Sequence, residues 1–336
     1  MKAIVQTEYG SPDVLKLIEV EKPSPKHDEA LVKIHAASLN AADLETLRGA
    51  AMVRIAGPRR PMYKIPGSDI AGRVEVVGAN VEQFQPGDDV YADLSGCGFG
   101  AFAEYVCVPG NVLVPKPAGM TFEEAAAYPQ AAVVALQGLC EAPIGMGPEY
   151  KRPVQAGQRV LINGAGGGMG TFAVQIAKYF GAEVTAVDSP QKLDMLRSIG
   201  ADHVIDYTQE DYTKSGNRYD LILDVAAHRS FFAYKRALNP EGKFIMVGGS
   251  ISSILQVLIL GQLISRTGNK AMGINSWKSN NKQDLALLEE LFEAGEVVPV
   301  IDKNFPLSEV PDAFRYLEEE PHLGKIIITV VNNSDA

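Results

Sequence analysis

The sequence predicts an α/β protein: a doubly wound parallel sheet joined to a mostly antiparallel, barrel-like β domain. Three observations carry that prediction. A buried strand pattern, Val160-Leu161-Ile162-Asn163, runs into Gly164-Ala165-Gly166-Gly167-Gly168-Met169-Gly170, and a helical run from Thr171 to Phe180 follows. From about 125 to 274, strand-like and helical patterns alternate, as a parallel sheet with crossover helices requires. From 1 to about 124, short alternating runs are broken by turn residues, as in antiparallel β structure.

The elements read in order as follows. Met1-Lys2-Ala3-Ile4-Val5 opens a first strand and lacks the pattern of a signal peptide. Ala30 to Ile34, Gly72 to Val77 and Pro86 to Tyr91 are further strands of the β domain. The parallel sheet takes Arg159–Asn163, Glu183–Val187, His203–Asp206, Asp220–Asp224, Gly242–Val247 and Lys270–Ile274. Residues 143 to 156 lengthen the connection before its first strand. Ile251 to Ile264 is apolar but too short to span a bilayer, and reads as a buried or interface helix. Beyond 275 come a helix over Lys282–Ala294, a second opened by Pro306-Leu307-Ser308 with Ser308 as N-cap, and a closing strand, Gly324–Val330. That strand is expected to return to the N-terminal β domain and make it discontinuous, over 1–124 and 275–336, around a nucleotide domain over 125–274.

Composition narrows the function. With 31 basic and 41 acidic residues, the net charge of −10 argues against nucleic acid and anionic membrane surfaces. Cys97, Cys107 and Cys140 form no C-x-x-C and cannot all pair, which points to a reducing, cytoplasmic setting.

The glycine turn is the strongest chemical signal. Glycines let the backbone approach a pyrophosphate, and the helix N-terminus supplies free N–H groups and partial positive charge. Glycine also serves turns for conformational reasons alone. Here it sits between a strand and a helix, and Asp188 follows eighteen residues after Gly170, at a strand end where an acid accepts hydrogen bonds from an adenosine ribose. Asn163 and Ala165, Gly166, Gly167, Gly168, Met169 and Gly170 are therefore expected around a dinucleotide pyrophosphate. The strand end Val247-Gly248-Gly249 is expected beside the nicotinamide.

Five ordered motifs now resemble one family over the whole chain: Pro86-Gly87-Asp88-Asp89-Val90, the helix start Glu123-Glu124-Ala125-Ala126-Ala127, Asn163 to Gly170, Leu196 to Tyr207, and Gly324-Lys325. The chain resembles the medium-chain dehydrogenase/reductase superfamily, and within it the zinc-independent quinone oxidoreductase (zeta-crystallin-like) branch. The resemblance implies a GroES-like β domain, a Rossmann nucleotide domain and an active site in the cleft between them. Zinc alcohol dehydrogenases place Cys, His and Cys as ligands, with a Glu beside the His. The matching positions here are Asn40, Ser68 and Gln130, with Asp69 beside Ser68. Amides and a hydroxyl are poor zinc ligands, the four-cysteine lobe is missing, and the five histidines show no ligand spacing. No metal is expected.

Without a Lewis acid, hydride transfer suits acceptors that are already activated, such as quinones and α,β-unsaturated carbonyls. Asn40 and Gln130 are candidates to donate hydrogen bonds to the acceptor oxygen; the alternative is that they hold the nicotinamide carboxamide or line a wet cleft. Tyr63 is a candidate donor or stacking surface, against the alternative of a ring packed on the barrel wall. Asp43 is read as bracing the Asn40 loop. For the cofactor, Asp188 favours NAD(H) by repelling a 2′-phosphate. Lys192 and Tyr207 match, by the resemblance, positions that hold that phosphate in NADPH-dependent quinone oxidoreductases. Their alternatives are a solvated charge and a ring packed on the base. The reading leans to NAD(H) and leaves NADP(H) open. An NAD(P)H-dependent quinone or enone reductase is the leading function, acting as a homodimer joined through Lys270–Ile274. A redox-sensing or structural nucleotide binder with little turnover, or a zinc-free alcohol dehydrogenase-like reductase, are the alternatives.

Overall fold

A computed structural model describes residues 1–51, 53–144, 146, 151–267 and 269–331. The chain divides into two compact units: Met1–Ala131 with Ser279–Leu285 and Ile301–Ala336, and Ala132–Lys278 with Ala286–Val300.

In the first unit, β1 (Lys2–Val5) and β2 (Lys16–Glu19) form a small antiparallel pair. The main sheet is built from β3 (Glu29–Leu39), β4 (Asp69–Val77), β5 (Asp89–Asp93), β6 (Tyr105–Pro109), β7 (Val114–Pro115), β14 (Ile301–Pro306) and β15 (Lys325–Thr329). Its order is β14-β15-β3-β4-β5-β7, with β6 also paired to β3. All pairs are antiparallel except β14 with β15. That exception follows from the connection, because helix α10 (Val310–Glu319) carries the chain back for a parallel return. The apolar core joins Ile34, Val32 and Leu39 of β3 to Ile326 and Ile328 of β15 and to Phe314 of α10. Thus the last strand does return to the N-terminal unit. Short helices α1 (Ala41–Arg48) and α2 (Val53–Ala56) follow β3. Helix α3 (Phe122–Ala127) packs on β3, β4 and β15. Thr121 caps it, since Glu124 N–H donates to Thr121 Oγ1 at 3.1 Å and Thr121 N–H donates back to Glu124 at 2.8 Å.

The second unit holds a six-stranded, wholly parallel sheet of β8 (Arg159–Asn163), β9 (Glu183–Asp188), β10 (His203–Asp206), β11 (Tyr219–Asp224), β12 (Leu238–Met246) and β13 (Ala271–Ile274). Its order, β10-β9-β8-β11-β12-β13, reverses direction between β8 and β11, which makes the C-terminal ends of those strands the place for a ligand. Helices α4 (Ala131–Cys140), α5 (Gly168–Tyr179), α6 (Leu193–Ser198), α7 (Phe231–Ala237), α8 (Ile251–Thr267) and α9 (Lys282–Glu293) complete the set.

Several expectations shift. Residues 286–300 belong with the parallel sheet rather than the β domain. Gln175 of α5 ties them there, donating to Val298 O at 2.9 Å and accepting from Val298 N–H at 3.0 Å. Residues 125–131 fall on the other side of the boundary, with the β domain on which α3 packs. Strand β12 begins four residues earlier than expected, at Leu238, before Pro240 and Gly242. Ser308 does not cap a helix, because a 3₁₀ turn over Leu307–Glu309 intervenes and α10 starts at Val310. Of the lengthened connection, residues 145 and 147–150 lie outside the described residues; Lys243 Nζ donates to the carbonyls of Arg152 at 2.8 Å and Glu141 at 3.4 Å beside it. Among the described residues, no helix is long and apolar enough to cross a membrane.

Candidate active site

In the second unit the expected cofactor residues gather at the C-terminal ends of the parallel strands. Asn163 ends β8, Asp188 ends β9, Tyr207 follows β10, and Val247-Gly248-Gly249 follow β12. The turn after β8 is held from both sides. Gly164 and Ala165 N–H groups donate to Val187 O at 3.0 and 3.2 Å. The first intrahelical bond of α5 runs from Thr171 N–H to Gly167 O at 3.1 Å, which leaves the N–H groups of Gly168, Met169 and Gly170 without an intrahelical acceptor, and none is recorded for them among the described residues. Gly170 must be glycine, because a Cβ there would come within 2.3 Å of Gly164 O and 2.6 Å of Ala165. Free amides on a backbone kept open in this way fit a pyrophosphate.

Asn163 does not point at that cradle. Its Nδ2 donates to Asp224 Oδ1 at 2.8 Å, inside the protein. Asp224, fully buried at the end of β11, also accepts from Tyr212 Oη at 3.1 Å and from Ala226 N–H at 3.0 Å. Burial raises its carboxyl above the usual carboxylate range. The two strand ends at the switch point are thus riveted together beneath the turn.

Asp188 is tied to the turn itself. Its Oδ2 accepts Gly166 N–H at 2.7 Å and its Oδ1 accepts Ser189 N–H at 2.8 Å, while Lys192 Nζ stands 3.7 Å from Oδ1. Lys192 is therefore not a solvated charge. It is 8% exposed, and its carbon stem lies across Gly166. Tyr207 is exposed and its N–H donates to Asp188 O at 3.2 Å.

In the first unit, Asn40, Ser68 and Gln130 converge on one buried polar cluster. Asn40 closes β3, and both ends of its amide are engaged. Nδ2 donates to Asp69 Oδ2 at 2.9 Å and to Ser68 Oγ at 3.3 Å, while Oδ1 accepts from Lys325 Nζ at 2.7 Å. Its backbone N–H donates to Asp43 Oδ2 at 2.8 Å, the bracing contact read from the sequence. Lys325 also donates to Leu39 O at 3.2 Å and pairs with Asp69 at 3.6 Å. Asp69 and Asp93 are partners in register across β4 and β5, and Gln130 hydrogen-bonds toward Asp93. Asp43, Asp69, Asp93 and Lys325 are all at most 2% exposed. Burial pushes the Asp43 carboxyl up to about 7, raises Asp69 and Asp93, and lowers the Lys325 ammonium, each because the charged form loses water. Tyr63 stands apart from the cluster. It is exposed and its ring lies 5.4 Å from Phe99, whose backbone sits at φ 60°.

Sequence reasoning missed Lys325 and Asp93 as parts of this cluster. The available signal was a lysine opening the apolar strand Ile326-Ile327-Ile328, since a charge there needs a buried partner. The donor set does not fit zinc. Asn40 presents its amide hydrogens to Ser68 and Asp69, and an ammonium already occupies the oxygen side. Among the described residues no group of three or more His, Cys, Asp or Glu is disposed to hold a metal ion.

The raised Asp43 carboxyl has a pH consequence. Its ordinary value is 3.8 and its folded value about 7, so the folded state keeps a proton that the unfolded chain has released. The stabilisation is complete below the ordinary value and is lost as pH rises through the folded one, at about 1.4 kcal/mol per pH unit. The stability of Asp43→Asn relative to the wild type should rise by about 2–3 kcal/mol between pH ~5 and pH ~8 in urea unfolding. A difference that stays constant with pH would contradict the assignment.

Comparison with known proteins agrees with this fold. Residues 26–118 match the alcohol dehydrogenase GroES-like domain, and residues 199–328 match the zinc-binding dehydrogenase model. The chain is 35% identical to 2-methylene-furan-3-one reductase of Solanum lycopersicum, covering 98% of this chain and 79% of that protein. It is 32% identical to the chloroplastic NADPH-dependent alkenal/one oxidoreductase of Arabidopsis thaliana, with the same coverage. Among solved structures, the quinone oxidoreductase from Coxiella burnetii superposes with a TM-score of 0.86 at 27% identity, over 98% of this chain and 99% of that one. The chain belongs to the medium-chain dehydrogenase/reductase superfamily, in its quinone oxidoreductase branch.

Proposed function

We propose that this protein is an NAD(P)H-dependent reductase that delivers hydride to a quinone or α,β-unsaturated carbonyl without a metal ion. The observation that carries the proposal is the open amide cradle at Gly168, Met169 and Gly170, set on the C-terminal edge of a parallel sheet with Asp188 and Lys192 beside it. The bound dinucleotide supplies the hydride, at C4 of its dihydronicotinamide ring. The chain's residues bind and orient. The α5 amides hold the pyrophosphate, the Asn163–Asp224 rivet fixes the turn, and Val247-Gly248-Gly249 offer backbone at the nicotinamide end. In the first unit the Asn40 cluster is a buried polar cluster whose side chains are already engaged with one another. Such a cluster suits an acceptor activated by its own carbonyl, and gives no evident means of ionising a simple alcohol. Tyr63 and Gln130 remain the side chains offered to the acceptor oxygen. The cysteine usage read from the sequence supports a reducing compartment.

For the cofactor, Lys192 shifts the balance from the NAD(H) that Asp188 alone would favour towards NADP(H). At 3.7 Å its ammonium is beyond hydrogen-bond range of Asp188, so its donors remain available for a phosphate while its charge offsets the carboxylate. The name of the Arabidopsis relative, NADPH-dependent, supports the same reading. Titrating NADH and NADPH in parallel, with a quinone and an enone as acceptors, should give turnover and a lower KM for NADPH. Lys192→Ala should raise the NADPH KM by about tenfold, a cost of about 1.4 kcal/mol, and leave NADH little changed. Tight binding without turnover over a broad acceptor panel would instead support the sensor reading.

A homodimer is the third part of the proposal. Strand β13 is last in the sheet order, with Met272 N–H donating to Ser265 Oγ at 3.3 Å and Ile274 O accepting Ile144 N–H at 2.8 Å on its outer side, and α8 beside it exposes Ile251, Leu255, Leu258 and Ile259. The expected joining through Lys270–Ile274 therefore gives way to the α8 face, whose meeting with its counterpart would cover apolar surface. Light scattering at micromolar concentration should give twice the chain mass; a monomer would defeat this part.

A further inference from the structure

The end of β3 encloses a positive charge in oxygen. Lys325 Nζ lies 2.7 Å from the Asn40 amide oxygen, 3.2 Å from the Leu39 carbonyl and 3.6 Å from Asp69 Oδ2. The Asp43 and Asp93 carboxylates attract it through space. Amide oxygen, main-chain carbonyl and carboxylate are the donors that protein sites use for hard cations. Here they surround the end of a side chain that is 1% exposed. The segments they come from are the end of β3, the start of α1, the start of β4 and the end of β5, and none of these is next to Lys325 in sequence.

We propose that the Lys325 ammonium is a built-in structural cation, filling an oxygen-lined cation site and acting as the positioning residue that fixes the Asn40 side chain. By the family resemblance, Asn40 stands where zinc-dependent members carry a metal ligand. The chain thus keeps a positive charge at this corner of the fold without drawing an ion from solution. The tether explains the chemistry of the neighbours. Asn40 presents oxygen to the ammonium and nitrogen to Ser68 and Asp69, an orientation that a neutral side chain at 325 would not impose. Without the cation the three acidic side chains would face one another in a dry interior with no positive charge among them.

Chemical rescue of the full-length chain separates charge from volume. Lys325→Ala should lower Tm and reduce kcat with an enone by about tenfold or more, with the NADPH KM unchanged because the second unit binds the nucleotide. Adding n-propylammonium, which replaces the missing atoms and charge, should raise Tm and recover part of kcat, whereas n-propanol should not. Lys325→Met, whose thioether fills the space, should show the same losses and no rescue by either compound. If the Ala variant does not fold, its refolding yield from urea with each compound replaces Tm as the readout, with the same expectation. Wild-type Tm and kcat in Lys325→Met, rescue by propanol as good as by the amine, or no rescue by the amine would overturn the proposal. The kcat arm rests on the reductase reading and the Tm arm does not. Absence of enone turnover in the wild type would therefore count against that reading alone.

Discussion

Lys325 opens the strand whose next three residues, Ile326, Ile327 and Ile328, are buried, and its ammonium faces Asp43, Asp69 and Asp93 from within the same core. β15 lies between β14 and β3, so the charge is delivered by an element that the sheet holds on both sides. Removing one partner of a buried ion pair costs about 3–5 kcal/mol, against at most about 1 kcal/mol for an exposed one. The exposed pairs here, such as Arg197 with Asp194, therefore matter little beside it. What the buried ammonium provides is a defined arrangement of the β3 end. Asn40, Ser68 and Asp69 have one hydrogen-bond pattern that satisfies the cation, and the start of α1 is fixed by the same residues through Asp43.

The second unit solves a related problem with backbone. A pyrophosphate needs unpaired donors, and unpaired donors are costly unless the loop carrying them is held rigidly. The turn after β8 is held by Val187 O and by Asp188, which accepts Gly166 N–H, while Asn163 and Asp224 lock the strand ends below. Asp188 thus serves the turn as well as any ribose. An acid already bonded to two amides and paired with Lys192 repels a phosphate less than an isolated one would. On the reading proposed above, the relation of Asp188 to Lys192 bears on cofactor preference more than the presence of either.

The parallel sheet was the most legible part of the chain. β8 falls on the expected residues because a strand buried on both faces reads as an unbroken apolar run, and β10 falls on them too, although it is an edge strand with Ile205 alone buried. The start of β12 was hidden by Asn239-Pro240-Glu241-Gly242, which spells a turn. There its register with β11 shifts between the Tyr219 and Leu221 pairs. The helix start near 308 failed because a serine after a proline looks the same before a 3₁₀ turn as before an α-helix. In the candidate site, the glycine cradle and Asp188 were legible since both lie within one strand–turn–helix–strand segment. Asn40, Ser68 and Gln130 were located through a resemblance, but what they do locally was not legible. Asn40 and Lys325 are 285 residues apart, and no local pattern links them. Nor did the sequence reveal that Lys192 is buried, because its short helical turn reads as surface.

Metal independence is the proposal that most needs a direct test, since by the resemblance amides and a hydroxyl stand at Asn40, Gln130 and Ser68 where a zinc enzyme would need thiolate and imidazole. The direct measurement is turnover of NADPH with an enone by protein dialysed against a strong chelator, alongside its metal content by elemental analysis. The account predicts full activity with far less than one zinc per chain and no gain when zinc is added. Activity that disappears on chelation and returns in proportion to bound zinc would contradict it.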